Sequence, residues 1–338
     1  DDCIISCTKG QGLAEQFKRD IENLFELSSY GKLHYLLGVS CEIKNPGDVN
    51  KTYLSTNQTG DIETLMRKYC TDDIHIKKTI RTPINKGDKF TKEQSPVTDE
   101  QKAAMANQPF RPIIGSLLFI SRNRVDIAAP VGILSSFNSC PGEIHLKAVK
   151  RIIKYLYGTR HLGFCYGANR QYWMAQKHPN PISAQVDADF AGNLTCGKSR
   201  TGYVVKLFGD TVEAFTQLQR ATTGSTAHAE LKAAAHLVRK LTYYRDILPL
   251  FGLIFDPDHP FLCESDSNAA LLLLERGYIK FNMTHMRTDF YTILEAIEER
   301  LIVLRHVPGL QNVADILTKA LPPREHESHT PRILNQPR

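Results

Sequence analysis

The sequence predicts an α/β (α+β) protein whose second half forms a mixed sheet with helices on its faces. Short strand-like runs lie close together in the chain at 161–166, 182–190, 202–208 and 212–215. A long helical pattern occupies 226–250, followed by a strand, two helices, a strand and a last helix that ends near residue 320. Neighbouring strands followed by alternating helices and strands are typical of a sheet with both antiparallel and parallel pairs.

Composition and charge fit a globular protein of about two domains. The chain has 338 residues, 42% of them hydrophobic and 23% charged, and no apolar run is long enough for a membrane-spanning helix. Eight cysteines are dispersed without a CxxC pair, which argues against a zinc ribbon and indicates reduced thiols. The net charge of +6 permits a polyanionic partner. Because the chain opens with Asp-Asp and has no secretory signal, we expect an unsecreted piece of a longer protein.

The first half contains shorter elements. A helix, a hairpin around an Asn-Pro-Gly-Asp turn and a second helix are expected, in order, at 13–25, 33–55 and 62–69. From about Lys77 to Lys102 the chain is polar and aperiodic, which indicates a long surface connection. Residues 113–137 are apolar and helical, and Pro130 is expected to kink or split this helix.

An amphipathic helix is expected at 144–157. One side is apolar, and the other carries four basic residues, Lys147, Lys150, Arg151 and Lys154. Such a stripe is either a solvated face or a surface that contacts the phosphates of a nucleic acid. The pattern alone leaves both interpretations open.

Five acidic positions in the second half are of interest. Asp187 and Asp189 end a strand on the same face, because side chains alternate along a strand. An isolated pair of this kind is ordinarily a solvated strand end. Glu230 lies early in the long helix, Asp266 follows the next strand, and Asp315 lies in the last helix. If these carboxylates meet at one sheet edge, they need hard divalent cations such as Mg²⁺, and two such ions can hydrolyse a phosphodiester.

Several blocks of the sequence resemble retroelement proteins. Residues 265–271 are similar to the TDSQxAL stretch of retroviral ribonuclease H domains. Residues 187–192, 198–203, 225–230 and 314–319 resemble, in order, the SDADWAGD, DRKSTSGY, SSTEAE and ADIFTK blocks of copia-type retrotransposon Pol polyproteins. Upstream, 31–38 resembles the GELHYFLG primer-grip block, and 115–119 and 124–128 resemble connection blocks. Asp1-Asp2 are similar to the end of the polymerase YVDD motif, so the likeness runs from residue 1 to about 322.

The resemblance implies a ribonuclease H fold with a five-stranded mixed sheet, and hydrolysis of the RNA strand of RNA–DNA hybrids. It also implies two Mg²⁺ ions, for which Mn²⁺ can substitute. The implied metal-binding carboxylates are Asp187, Glu230, Asp266 and Asp315. Glu230 would also orient the scissile phosphate, and Asp189 would be a neighbour rather than a ligand. Asp1 and Asp2 fall on polymerase metal ligands, but the rest of the polymerase site lies outside this chain.

The same resemblance divides the chain into four expected regions. Residues 1–76 would form the polymerase palm end and a thumb-like part, and 77–160 a linker and helical connection. Residues 161–322 would form the ribonuclease H-like domain, and 323–338 a polar tail. The implied partners are the hybrid and the rest of the Pol polyprotein, with no membrane, in cytoplasmic virus-like particles or the nucleus.

Several positions depart from the family pattern or stay ambiguous. The WxSKKQ segment appears at 214–219 with only Gln219 retained, and the loss of its two lysines lowers the expected affinity for nucleic acid. The expected contacts come from Lys198, Arg200 and Gln219 together with the basic face of 144–157. His228 stands where the family has Glu, and it is not expected to be a ligand. His306 is either a proton shuttle or product-release residue, or an ordinary loop histidine.

Two functions of different class remain. The first is a metal-dependent endonuclease that cuts the RNA of a hybrid, which the four intact carboxylates favour. The second is a catalytically inactive retroelement remnant or structural hybrid-binding fragment, which the altered contact segment and the truncated start favour.

Overall fold

The computed structural model describes residues 4, 11–26, 31–48, 50–71, 80–175, 181–279 and 281–337, with backbone only for 11 and 281–283. The α-helices are α1 (Gln11–Glu22), α2 (Thr59–Tyr69), α3 (Asp99–Ala106), α4 (Phe110–Ile120), α5 (Ala128–Ser135), α6 (Glu143–Gly158), α7 (Arg170–Ala175), α8 (Thr226–Ile247), α9 (Asn268–Glu275), α10 (Arg287–Glu298) and α11 (Pro323–Ile333). The strands are β1 (Tyr35–Leu36), β2 (Val39–Lys44), β3 (Tyr53–Asn57), β4 (Cys165–Tyr166), β5 (Ile182–Asp189), β6 (Arg200–Leu207), β7 (Asp210–Leu218), β8 (Phe261–Ser265) and β9 (Ile302–His306).

The second half contains a five-stranded sheet in the order β7-β6-β5-β8-β9. Strand β5 is antiparallel to β6 and parallel to β8, and β8 is parallel to β9. The predicted α/β class with a mixed five-stranded sheet and flanking helices is therefore confirmed. Because β5 and β8 run in the same direction, their carboxyl ends lie at the same edge of the sheet, where ligands commonly bind in sheets of this kind.

Both faces of this sheet are covered. Helices α8, α9 and α10 pack on one face in a core that includes Val186, Leu237 and Phe290. The other face is covered by a 3-10 helix (Val313–Leu317) and by α11, whose Ile333 is fully buried. The 3-10 helix stands where the sequence predicts a longer last helix to residue 320.

A second sheet has the order β1-β2-β3-β4. The predicted hairpin is present as the antiparallel pair β2 and β3. The sequence analysis groups residues 161–166 with the strands of the five-stranded sheet. In the structure, however, β4 pairs with β3 and belongs to this second sheet. A two-residue strand carries too little pattern to identify its partner, and only the tertiary fold decides it.

The apolar segment 113–137 is two helices, α4 and α5, separated by a turn and a 3-10 helix (Val125–Ile127). The break precedes Pro130, which lies in the first turn of α5. Proline is tolerated there because its missing N–H has no intrahelical acceptor. The polar connection also contains a helix, α3, whose Thr98 cap accepts a hydrogen bond from the Gln101 backbone N–H.

Residues after 322 form α11 instead of the polar tail expected from the sequence. Its His326 and His329 are almost fully buried, and the Asn335 side chain after the helix accepts a hydrogen bond of 2.7 Å from the Thr211 backbone N–H. This segment packs between the connection and the five-stranded sheet. In the described part of the chain, no helix is long and apolar enough to cross a membrane.

Candidate metal centre at the sheet edge

Three of the four predicted carboxylates meet at the edge where β5 and β8 end. Asp187 lies near the end of β5, Asp266 follows β8, and Asp315 lies in the 3-10 helix after β9. One oxygen of each lies within 4.8 Å of one oxygen of the other two. Asp187 and Asp315 are buried, and Asp266 is half-buried.

The segment that carries Asp315 is fixed directly to β5. The fully buried Asn312 donates from Nδ2 to the Val186 backbone oxygen at 2.9 Å, and its Oδ1 accepts from the Ala314 N–H at 3.2 Å. The backbone N–H of Val313 donates to Gln185 Oε1 at 2.9 Å. These bonds place Asp315 beside Asp187 although 128 positions separate them in the chain.

Glu230 lies next to this cluster, in the second turn of α8. Its side chain is buried, with 5% of its surface exposed, and its Oε2 has no hydrogen-bond partner. Burial first, and then the negative charges of Asp187 and Asp266, together raise the pKa of Glu230 to about 9. A buried carboxyl oxygen without a partner is unfavourable, and a cation is one of the groups that can satisfy it.

Asp266 and Asp315 also resist ionisation. Burial raises the pKa of Asp315 to about 7, with the charge of Asp187 as the next cause. Burial, and then Asp187, raise the pKa of Asp266 as well. Crowded carboxylate oxygens are hard donors that fit Mg²⁺ or Mn²⁺, and a bound dication removes the repulsion that raises these pKa values. The donor set therefore fits the implied metal.

Two further residues that the sequence analysis did not single out contact Asp187. Thr318, almost fully buried, donates from its hydroxyl to Asp187 Oδ2. The Lys319 ammonium lies 3.6 Å from Asp187 Oδ2 and 3.1 Å from Asp315 Oδ1. Both lie in the ADIFTK-like block, and the spacing of four between Asp315 and Lys319 was the available signal.

Gly202 makes the contact of Thr318 possible. It lies opposite Asp187 in the β5–β6 register. A methyl group placed on Gly202 would lie 2.6 Å from Thr318 Cγ2 and 3.0 Å from Leu317 Cβ. The absent side chain therefore lets the 3-10 helix approach the strand beside Asp187.

Asp189 does not join the group of three. It is half-buried, and burial, followed by the charge of Asp187, raises its pKa. A methyl group on Gly192 would lie 1.7 Å from Asp189 Oδ2, so the turn after β5 closes over this carboxylate. The structure thus separates the two aspartates that are equivalent in the sequence pattern.

The four basic residues of α6 are not equally available. Lys147 is exposed and lies 2.6 Å from Glu143 Oε1. Arg151 is half-buried and donates to Thr82 Oγ1 at 3.2 Å, and Lys150 and Lys154 are also half-buried. Lys147 is the member of this face that is most open to a nucleic acid.

Two of the residues predicted to contact nucleic acid have internal partners. Arg200 is 6% exposed and donates to Thr216 Oγ1 at 3.2 Å. Gln219 is equally buried and donates to Thr201 Oγ1 and to the Ala229 backbone oxygen, both at 3.1 Å. Their burial leaves little surface for phosphate contacts, whereas Lys198 is half-buried in the β5–β6 loop.

The histidines near the site have different environments. His306 is exposed at the end of β9, opposite Ser265 and therefore close to Asp266. His228 is buried, and its ring lies edge-on to the His285 ring at 4.7 Å between centroids. Burial, and then His285, lower the pKa of His228. The predicted polymerase ligands Asp1 and Asp2 lie outside the described residues.

Comparison with known proteins places these features in a family context. No family model matches the chain. The chain is 29% identical over 329 residues to the retrovirus-related Pol polyprotein from transposon TNT 1-94 of Nicotiana tabacum, covering 97% of this chain and 23% of that protein. It is 25% identical over 303 residues to the Pol polyprotein from transposon RE1 of Arabidopsis thaliana, covering 89% and 19%.

The chain thus spans about a quarter or less of the length of these relatives. Among solved structures, LC11-RNase H1 isolated from compost is 24% identical, with a TM-score of 0.33, covering 41% of this chain and 93% of that one. The resemblance inferred from the sequence blocks is confirmed: over nearly its whole length, the chain is similar to the retrovirus-related Pol polyproteins of plant transposons.

Proposed function

We propose that this chain is a metal-dependent endonuclease that hydrolyses the RNA strand of RNA–DNA hybrids within a retrotransposon Pol polyprotein. The observation that carries the proposal is the convergence of Asp187, Asp266 and Asp315 within 4.8 Å at the sheet edge. Glu230, buried beside them with an unpaired oxygen, completes the set. The similarity to Pol polyproteins supports the polyprotein context.

The roles of the residues follow from their positions. The charge of Asp187 raises the pKa of Glu230, Asp266 and Asp315 alike, so Asp187 is the carboxylate best placed to be shared between two ions. Glu230 and Asp315 would each complete the ligand set of one of the two ions. When bound, Mg²⁺ or Mn²⁺ would activate a water and stabilise the leaving oxygen of the phosphodiester. Thr318 holds the orientation of Asp187 through its hydroxyl.

The substrate would be held mainly through its backbone. Lys147 and Lys198 are the most available of the predicted contacts, and contacts with phosphates carry no sequence preference. We therefore propose weak binding of hybrid without sequence preference, and activity in cytoplasmic particles or the nucleus.

The test is cleavage of end-labelled RNA in a hybrid by the purified chain in Mg²⁺, Mn²⁺ or chelator. Asp266→Asn keeps the side-chain shape but removes a ligand charge, and we expect it to abolish cleavage while the fold is retained. Asp189→Asn, outside the group of three, is the matched control and should retain most activity. Cleavage that survives chelator, or full activity of Asp266→Asn, would contradict the assignment. No cleavage by the parent in either metal would favour the inactive remnant, which the buried Gln219 and Arg200 also favour.

A further inference from the structure

Lys319 occupies an unusual position for a lysine. Its ammonium lies 3.1 Å from Asp315 Oδ1 and 3.6 Å from Asp187 Oδ2. Both carboxylates belong to the cluster at the sheet edge. Among the described residues, Lys319 is the only ion-pair partner of Asp187 and Asp315. A single positive charge therefore faces two carboxylates of the cluster.

The position of Lys319 follows from the backbone. The Lys319 N–H donates to the Asp315 backbone oxygen at 3.2 Å, so one turn of chain holds the ammonium over the cluster. The buried Thr318 beside it is held by its bond to Asp187. Lys319 therefore cannot move away as a whole residue without breaking the Thr318 contact.

The end of the side chain has more freedom than its base. The side chain is 38% exposed, and it borders a cavity of about 120 Å³ between the β5–β6 loop and the connection. A lysine stem has four rotatable bonds, so the ammonium can leave the carboxylates while the backbone stays in place. The structure thus combines a close ionic contact with a route for its release.

A dication and an ammonium cannot share the same carboxylate oxygens favourably, because both are positive and each occupies the lone pairs that the other needs. We propose that Lys319 is the built-in counter-ion of the carboxylate cluster and that it competes with a divalent cation for Asp187 and Asp315. This inference rests on the proposed metal site. It assigns to Lys319 a positioning role that opposes metal binding and stabilises the metal-free fold.

The experiment measures Mn²⁺ binding to the full chain by electron paramagnetic resonance of the free ion, for the parent and for Lys319→Met. Methionine keeps the apolar stem but removes the charge. We expect Lys319→Met to bind Mn²⁺ about tenfold more tightly, because a full unit charge is removed next to a dication. Lys319→Arg, which keeps the charge, should bind as weakly as the parent. In the metal-free state, Lys319→Met should have a lower melting temperature than the parent.

A matched control is Lys240→Met. Lys240 is similarly exposed and lies 3.1 Å from Glu213 Oε2, distant from the cluster in the fold. Its replacement should lower the melting temperature without changing Mn²⁺ affinity, which separates loss of an ion pair from loss of competition.

Unchanged or weaker Mn²⁺ binding by Lys319→Met would overturn the inference. If the parent cleaves hybrid in Mn²⁺ while the affinity of Lys319→Met is unchanged, only the inference fails. If Lys319→Met binds Mn²⁺ more tightly but the parent never cleaves hybrid, the inference holds and the proposed function fails. Absence of Mn²⁺ binding by both proteins would overturn the inference together with the metal site.

Discussion

Replacing Glu230 by Gln should stabilise the metal-free chain at alkaline pH, although it removes a residue of the proposed metal site. Burial, and then the charges of Asp187 and Asp266, raise the pKa of Glu230 from its ordinary value of 4.5 to about 9. Glutamine has the shape and neutral charge of a protonated glutamic acid. The variant therefore resembles the protonated side chain that the folded parent favours, and it cannot form the buried carboxylate that the fold disfavours.

The direction of the pH effect follows from proton binding. Between pH 4.5 and about 9 the folded parent holds a proton on Glu230 that the unfolded chain has released. Stability of the parent therefore falls as pH rises through this range, by about 1.4 kcal/mol per unit. At pH 8 the accumulated difference is about 5 kcal/mol, and near pH 4.5 it vanishes. Glu230→Gln does not contain this titration, so the whole difference should appear between the two proteins.

The assay is thermal unfolding of both proteins in chelator from pH 5 to 8.5. We expect the variant to melt higher by on the order of 10 °C at pH 8 and to converge with the parent near pH 5. Saturating Mg²⁺ should reduce the difference, because metal binding stabilises the parent. Glu298→Gln, an exposed glutamate on α10, should give no pH-dependent difference. The reasoning would be refuted if the melting temperatures of Glu230→Gln and the parent differed by the same amount at pH 5 and at pH 8.

Three further predictions concern packing, binding and polymerisation. Gly202→Ala should destabilise the fold by about 1–3 kcal/mol through overpacking against Thr318. Gly115→Ala is the control, because open space surrounds Gly115, and it should not destabilise the fold. Equal melting temperatures of Gly202→Ala and the parent would contradict the close approach of Thr318. The affinity for hybrid in a salt titration should fall by about 0.9 log unit per phosphate contact for each tenfold rise in salt concentration. Lys147→Ala should show a smaller slope. Salt-independent binding would argue against phosphate contacts. Primer-extension assays with labelled nucleotide should give no product, because in-line transfer needs both metals and an aligned nucleotide; robust extension would disprove this.

The sequence predicts the five-stranded sheet well because its signals are local. Strands β5 and β6 are long enough for their apolar pattern to be recognised, and α8 spans 22 residues. Where the deciding contacts are distant in sequence, the prediction fails. Strand β4 has two residues, and its partner is chosen by contacts with β3, more than 100 positions earlier.

Helix α11 was missed for a different physical reason. Much of its buried face consists of polar residues, including His326, His329 and Thr330. The Thr330 hydroxyl donates to the His326 backbone oxygen at 2.8 Å, and the His326 ring lies 3.4 Å from the Asp126 backbone oxygen. Polar and ring side chains thus make up much of this face in place of an apolar stripe. Hydrophobic periodicity cannot detect a helix that is buried in this way.

The candidate site illustrates the same limit at the scale of single residues. Asp187 and Asp189 have the same residue type, strand and face, so no periodicity argument can rank them. Their neighbours across the strand differ: Asp187 lies opposite Gly202, and Asp189 lies opposite Arg200. A glycine admits the 3-10 helix, so Asp187 acquires Thr318, Lys319 and Asp315 as neighbours. Arg200 donates to Thr216 instead, and Asp189 has none of these residues as a direct partner among the described residues. The register of two strands therefore decides which of the two carboxylates joins the cluster.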